Sequence, residues 1–221
     1  MNRFHAFAHK VSKNHTCTCW VLKCDIRKLF VSIDQTILLK IISLYIPDQK
    51  IVSLISEIVR SFSRDVILAH AAASSAMTSP TGLPLGNLTS QLLVNVYMNE
   101  FDQYAKHALK AKYYVRYADD FVIWSQNKER LEEIRCHVDI FLRERLKLEL
   151  HPHKVSITTF ASGVDFLGWV HFGDHRVLRT STKRRMLKHT VGLDHSNPTM
   201  QSYLGMLRHG NAAKLRERIS R

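Results

Sequence analysis

The chain has 221 residues, of which Lys+Arg number 32 and Asp+Glu 19, for a formal charge of +13. That length supports a substantial hydrophobic core without disulfides, and 45% hydrophobic residues exclude a disordered chain. No apolar run approaches the roughly 18 residues of a membrane span, and Met1–Asn14 lacks a signal-peptide pattern, so the expected compartment is the cytoplasm. Residues 4–13 place Phe4, Phe7, Ala8 and Val11 at helical spacing. Trp20–Asp25 reads as a buried strand ending in a carboxylate, and Phe30–Tyr45 as one helix. Pro47 and Asp48 turn the chain into a second amphipathic helix, Ile51–Phe62. Residues 63–80 read as a short strand followed by a loose loop, and Thr81–Gly86 as a turn segment. A helix is expected from Thr89 to Leu109.

Tyr113–Tyr117 and Phe121–Trp124 are apolar strands separated only by Ala118, Asp119 and Asp120, which predicts a hairpin. Residues 127–148 form a charged helical pattern. Val155–Phe160, Phe166–Phe172 and Arg176–Arg179 read as short strands, the last two joined at Gly173 and Asp174. Beyond Ser181 the pattern is helical, broken at Ser196, Asn197 and Pro198. Helices alternating with short strands and tight turns predict an α+β fold with an antiparallel sheet.

Charge is concentrated at the C-terminal end. Between Arg176 and Arg221 eleven basic residues stand against Asp194 and Glu217, with Tyr203 the only aromatic ring of Phe, Tyr or Trp type. Such a segment suits phosphate contact better than base stacking, and Lys183, Arg184 and Arg185 are its densest cluster. The competing reading of a charge run is a solvated helix face.

The chemistry-bearing residues are carboxylates. Asp119 and Asp120 interrupt two nearly all-apolar strands, where adjacent like charges and desolvation both cost free energy. Asp25 ends another buried strand. Three carboxylates at one sheet edge need divalent cations, and oxygen-only ligands suit Mg²⁺. Two such ions serve in-line phosphoryl transfer. His15, Cys17 and Cys19 lack the second ligand pair of a zinc site.

Tyr117-Ala118-Asp119-Asp120 resembles the YxDD box of reverse transcriptases. Asp25–Phe30 resembles their first catalytic motif, and Gly82–Gln91 the motif between the two, in the family's order. Lys154 matches the next motif's lysine, and Phe166-Leu167-Gly168-Trp169 resembles the hairpin that grips the primer end. The resemblance implies a right-hand polymerase that copies RNA into DNA with two Mg²⁺ ions. It implies Asp25, Asp119 and Asp120 as catalytic metal ligands, with the Ile26 carbonyl as a further oxygen. Arg27, Lys28, Leu29, Phe30, Leu85, Gly86 and Lys154 would bind the nucleotide, Phe30 excluding a ribose 2′-OH. Ser90 and Gln91 would touch the template, as would the Lys183 cluster.

Leu85, within Gly82-Leu-Pro-Leu-Gly-Asn-Leu-Thr-Ser-Gln91, stands where most of the family has Gln, and this form is similar to enzymes of diversity-generating retroelements. The implied setting is a bacterial or phage retroelement, with an RNA template, a DNA or RNA primer, deoxynucleoside triphosphates and an accessory protein as partners. Residues 1–175 are expected to be palm with a remnant of fingers, and 176–221 a partial basic thumb, shortened at both ends. The alternative is an inactive relative that only binds RNA.

Overall fold

The computed structural model describes residues 2–61, 80–84, 88–194 and 196–219. In chain order its elements are helix α1 (Asn2–Val11), strand β1 (Trp20–Asp25), helices α2 (Leu29–Ser32), α3 (Gln35–Tyr45), α4 (Gln49–Arg60) and α5 (Leu88–Gln103), and a π-turn (Tyr104–Ala108). Strands β2 (Tyr114–Tyr117) and β3 (Asp120–Ser125), helix α6 (Lys128–Leu146), and strands β4 (Ser156–Thr159), β5 (Val164–Phe166), β6 (Trp169–His171) and β7 (Arg176–Leu178) follow. Helices α7 (Thr180–Thr190), α8 (Pro198–Leu207) and α9 (Ala213–Ile219) complete the α+β fold. The expected strand and loop at 63–80 lie outside the described residues, apart from Pro80.

The chain divides into two compact units, one of residues 22–157 and the other of residues 1–21 with 158–221. The first is organised by a sheet of order β2-β3-β1-β4. β2 and β3 are antiparallel, with Tyr114 opposite Ile123 and Tyr117 opposite Asp120, so Ala118 and Asp119 form a two-residue turn. Phe121, Val122, Ile123 and Trp124 are all buried, because the sheet is covered on both faces and the strand needs no polar side. Phe101 of α5 packs on Phe121 with ring centroids 4.9 Å apart.

The single helix expected over Phe30–Tyr45 is two. Lys28 caps α2 in a left-handed conformation, and Ile33 is extended. Asp34 then starts α3 by accepting from Ile37 N–H. The break has a tertiary cause: Gln35 N–H donates to Pro80 O and Gly82 N–H to Ile33 O, so an extended partner strip captures backbone groups that a continuous helix would use. The helix expected to reach Leu109 leaves regular geometry at Tyr104, whose ring stacks on Phe141 at 4.0 Å.

In the second unit β5, β6 and β7 form an antiparallel sheet. The strand expected over Phe166–Phe172 forms as β6 from Trp169 to His171 and pairs with β7, whereas its first residues make the bend of the β5–β6 hairpin. Leu167 and Gly168 both have positive φ (52° and 80°), as a two-residue type I′ turn requires. Leu at the first turn position hides the usual Asn-Gly signal. Trp169, Leu178, Met186, Met200, Leu207, Ala212 and Ile219 form the core under helices α7 to α9. Gly210 is obligatory there, since a Cβ would lie 2.1 Å from Trp169.

α1 contributes Phe4 and His5 to this unit. Phe4 stacks on Phe166 and packs against His171. His171 is fully buried. Its Nε2 lies 3.2 Å from Phe166 O, which can only accept, so Nδ1 accepts from His5 Nε2 at 3.0 Å. Burial pushes the His171 imidazole down to about 4, and the facing His5 adds to the shift. An unfolded His titrates near 6.5. Between about pH 6.5 and 4 the unfolded chain therefore binds more protons, and stability is lost as pH falls through that window. The expected loss is on the order of 2–3 kcal/mol. Thermal midpoints of the parent should drop between pH 7 and 4.5, and His171→Gln, which keeps a donor and an acceptor without titrating, should show a shallower fall. Parallel pH profiles would remove His171 as the cause.

Candidate active site

The site lies in the unit of residues 22–157 and is built from three strand ends. β1 delivers Asp25, only 7% exposed, at its last position. Ile26 N–H donates to Asp119 O at 3.0 Å, which joins the end of β1 to the turn of the β2–β3 hairpin. On the other side His151 N–H donates to Asp25 O and Arg27 N–H to Glu149 O, around a bridge between Ile26 and Leu150. Asp25 is thus held at both its own carbonyl and its neighbours' amides. Ala118 precedes Asp119 in the turn with φ 51°, a conformation that costs a residue bearing Cβ on the order of 1–2 kcal/mol.

The electrostatics are those of crowded carboxylates. Burial raises the Asp119 carboxyl above its usual range, and the Asp25 charge raises it further, while Lys154 acts against both. Lys154 Nζ lies 3.0 Å from Asp25 Oδ2, and this hydrogen bond holds its ammonium above the usual lysine range. Asp120, the first residue of β3, lies near Lys23 of β1, Nζ to Oδ1 being 3.8 Å, and its charge also acts on Lys154 together with those of Asp25 and Asp119. Among the described residues no three His, Cys, Asp or Glu side chains converge closely enough to hold an ion. The structure brings Asp25 and Asp119 together, and Lys154 feels the charges of Asp25, Asp119 and Asp120. Two neighbouring carboxylates with oxygen-only donors, one of them raised by burial, fit a hard cation such as Mg²⁺.

The remaining predicted residues are distributed as follows. Ile26 and Leu29 are buried, Phe30 is half-buried, and Arg27 and Lys28 are exposed, Arg27 with its guanidinium 3.5 Å from Glu149. The helix that begins after Lys28 is a single turn. Leu85 and Gly86 lie outside the described residues. Ser90 is buried in α5, whereas Gln91 is exposed. In the other unit Phe166 and Trp169 are core residues and Leu167-Gly168 is the hairpin turn. Thr182, Met186 and Thr190 are the buried stripe of α7, which leaves Arg184 and Arg185 exposed and Lys183 half-buried.

Sequence reasoning missed Lys23 and Arg116. The available signal was the same for both: a cation inside an otherwise apolar strand needs a buried partner. The partners, Asp120 and Asp102, are distant or ambiguous in sequence.

Comparison with known proteins places the chain in a family. Residues 2–171 match the family model described as reverse transcriptase (RNA-dependent DNA polymerase). The chain belongs to that family. Protein YkfC of Escherichia coli (strain K12) is 29% identical over 196 residues, covering 74% of this chain and 48% of that protein. Group II intron-encoded protein LtrA of Lactococcus lactis subsp. cremoris is 26% identical, covering 75% of this chain and 36% of that protein. The chain thus spans half or less of the length of these curated relatives. Among solved structures, apo telomerase of Candida tropicalis superposes with a TM-score of 0.57 at 11% identity, over 94% of this chain and 39% of that one. Telomerase of Candida albicans, solved with a fragment of telomeric RNA, gives 0.56 at 12% identity, over 99% and 43%. These likenesses share the α+β polymerase fold.

The Lys154 ammonium occupies the side of Asp25 that a cation would also seek. Lys154→Met should therefore bind Mn²⁺, followed by water-proton relaxation, roughly fivefold more tightly, equivalent to about 1 kcal/mol for a partly exposed ion pair. Equal affinities for parent and variant would show that the two cations do not compete.

Proposed function

We propose that the chain is an RNA-directed DNA polymerase that adds deoxynucleotides to a primer 3′-hydroxyl. The observation that carries this reading is the pairing of Asp25 and Asp119 across the Ile26–Asp119 backbone bond, in a chain of the reverse transcriptase family. Asp25 and Asp119 would hold two Mg²⁺ ions, with Asp120 in support and the Ile26 carbonyl as a further oxygen; when bound, these activate the attacking hydroxyl and neutralise the leaving group. Asp119, raised by burial, gains from any cation delivered beside it. Lys154 Nζ keeps its proton while paired with Asp25 and would give it to the departing pyrophosphate or neutralise it.

In this reading Arg27, Lys28, Leu29, Phe30, Leu85 and Gly86 form the nucleotide side, and Phe30 excludes a 2′-OH by bulk. Gln91 and the exposed basic face of α7 contact RNA, with each phosphate contact made by Lys183, Arg184 or Arg185 adding to the salt dependence of binding. The Leu167-Gly168 turn meets the primer end. Residues up to 175 act as palm and the basic segment beyond as thumb. Leu85 in place of Gln supports a bacterial or phage retroelement of the diversity-generating type. Among the described residues no helix is long and apolar enough to cross a membrane.

Primer extension on a defined RNA template tests the reading. Asp119→Ala should lose at least about a thousandfold in rate, since removing a metal ligand removes the charge compensation of the displacement, while RNA affinity and thermal midpoint stay near the parent's. Extension by Asp119→Ala at the parental rate would refute it.

The role of Phe30 is separately measurable. Phe30→Val should admit ribonucleoside triphosphates, raising their kcat/KM relative to deoxynucleotides by about ten- to a hundredfold, the scale on which pocket size discriminates small groups. Unchanged discrimination with normal deoxynucleotide use would leave Phe30 as a packing residue only.

A further inference from the structure

Arg116 lies in the middle of β2, two residues before the strained Ala118, and its side chain is only 8% exposed. A buried guanidinium is costly unless every donor is matched. Here Nε donates to Asp102 Oδ1 at 2.9 Å and Nη2 to Asp102 Oδ2 at 2.8 Å, a fork-on-fork pair that fixes the plane of the guanidinium. Asp102 sits on α5 and is itself fixed by Tyr114 OH, which donates to Oδ1 at 2.6 Å. With Nε and Nη2 committed, Nη1 is aimed at the hairpin turn. It donates to Ala118 O at 3.1 Å and to Asn95 Oδ1 at 3.3 Å.

The consequence concerns Asp119. Ala118 is held at φ 51° although an alanine there gains nothing from that conformation by itself. Its carbonyl belongs to the peptide unit that leads into Asp119, so a bond to that oxygen sets the plane from which the Asp119 carboxylate departs. The same turn is gripped on its far side by Ile26 N–H on Asp119 O. Two hydrogen bonds, one to each successive carbonyl, leave the turn no freedom to relax.

We propose that Arg116 is a positioning residue: braced on Asp102 of α5, it clamps the Ala118 carbonyl and thereby holds the Asp119 carboxylate beside Asp25. The inference rests on the polymerase reading for its catalytic consequence, but its structural content stands apart from that reading. Arginine is required because only a planar donor with a third free edge can grip a carboxylate with two nitrogens and reach a carbonyl with another. Lysine at 116 keeps the charge and the ion pair with Asp102 and loses the reach to Ala118.

The test uses Arg116→Lys, Ala118→Gly and the double variant, each read in two ways. One readout is single-nucleotide extension, resolved into kcat and KM for the deoxynucleotide. The other is the amide resonance of Asp119 in nitrogen-15 spectra, which reports the turn whether or not the chain polymerises. Arg116→Lys should shift or split the Asp119 resonance. It should also lower kcat about 10- to 100-fold, the scale expected for a reacting group displaced by about 1 Å, with KM changed less than threefold. Adding Ala118→Gly should restore much of both signals, because glycine adopts positive φ without strain, although it does nothing for the Arg116–Asp102 pair. A merely structural ion pair would show no such rescue.

Parental kcat and an unmoved Asp119 resonance in Arg116→Lys, with only the thermal midpoint lowered, would overturn the proposal. So would a displaced resonance that Ala118→Gly leaves displaced. If parent and Asp119→Ala extend alike, the polymerase reading falls, and the resonance alone decides whether Arg116 holds the turn. Should Arg116→Lys fail to fold, Asp102→Asn loosens the same clamp while still accepting from Tyr114, and it is held to the same resonance shift and kcat loss.

Discussion

The hydrogen bond from Ile26 N–H to Asp119 O is the constraint on which the site depends. It places the last residue of β1 against the turn of the β2–β3 hairpin, and so sets two carboxylates, Asp25 and Asp119, side by side. That arrangement is unfavourable in an apolar setting. The surroundings answer with cations of different origin. Lys154 arrives on the segment that pairs with Arg27 and Ile26, and compensates Asp25. Lys23, on β1 itself, lies 3.8 Å from Asp120. Burial raises the Asp119 carboxyl, and the neighbouring Asp25 charge adds to the rise against the pull of Lys154. Backbone pairing of β1 with the hairpin turn and with the segment 149–151 holds these charges close together.

How much of this was legible in the sequence depended on the range of the interaction. The hairpin around Asp119 and Asp120 was readable because both strands and the turn are contiguous, and alternation with apolar runs speaks for itself. The boundary of β1 at Asp25 was readable because a carboxylate ending an apolar run marks a strand leaving the core. The break between α2 and α3 was not, because its cause is the strip at residues 80–83, about 50 residues away. Propensity over Phe30–Tyr45 favours one helix, and backbone capture by Pro80 and Gly82 overrides it.

The β5–β6 hairpin failed for a different reason. Turn chemistry expects Asn, Asp or Gly at positions of positive φ, and Leu167 offers none of these. Resemblance of Phe166-Leu167-Gly168-Trp169 to a family motif located the hairpin where residue propensities read a strand. The contact of Asp120 with Lys23 was equally invisible, because Lys23 lies 97 positions upstream in a strand that reads as apolar.

Backbone strain draws these observations together. Among the described residues, several non-glycine positions of positive φ are unremarkable: Lys13 and Asn14 follow α1, Lys110 follows the π-turn, and Lys147 caps α6. Helix C-termini commonly end in this way. Lys28, Ala118 and Leu167 are different, because each lies inside a segment singled out from the sequence for its chemistry. Replacing any of them with glycine or asparagine would relieve backbone strain. Strain of this kind persists only where surrounding contacts over-determine the backbone. At Ala118 those contacts are visible, Arg116 on one carbonyl and Ile26 on the next. At Ala118 the strain of a left-handed alanine is thus balanced by two hydrogen bonds to successive carbonyls, which fix the turn that carries Asp119.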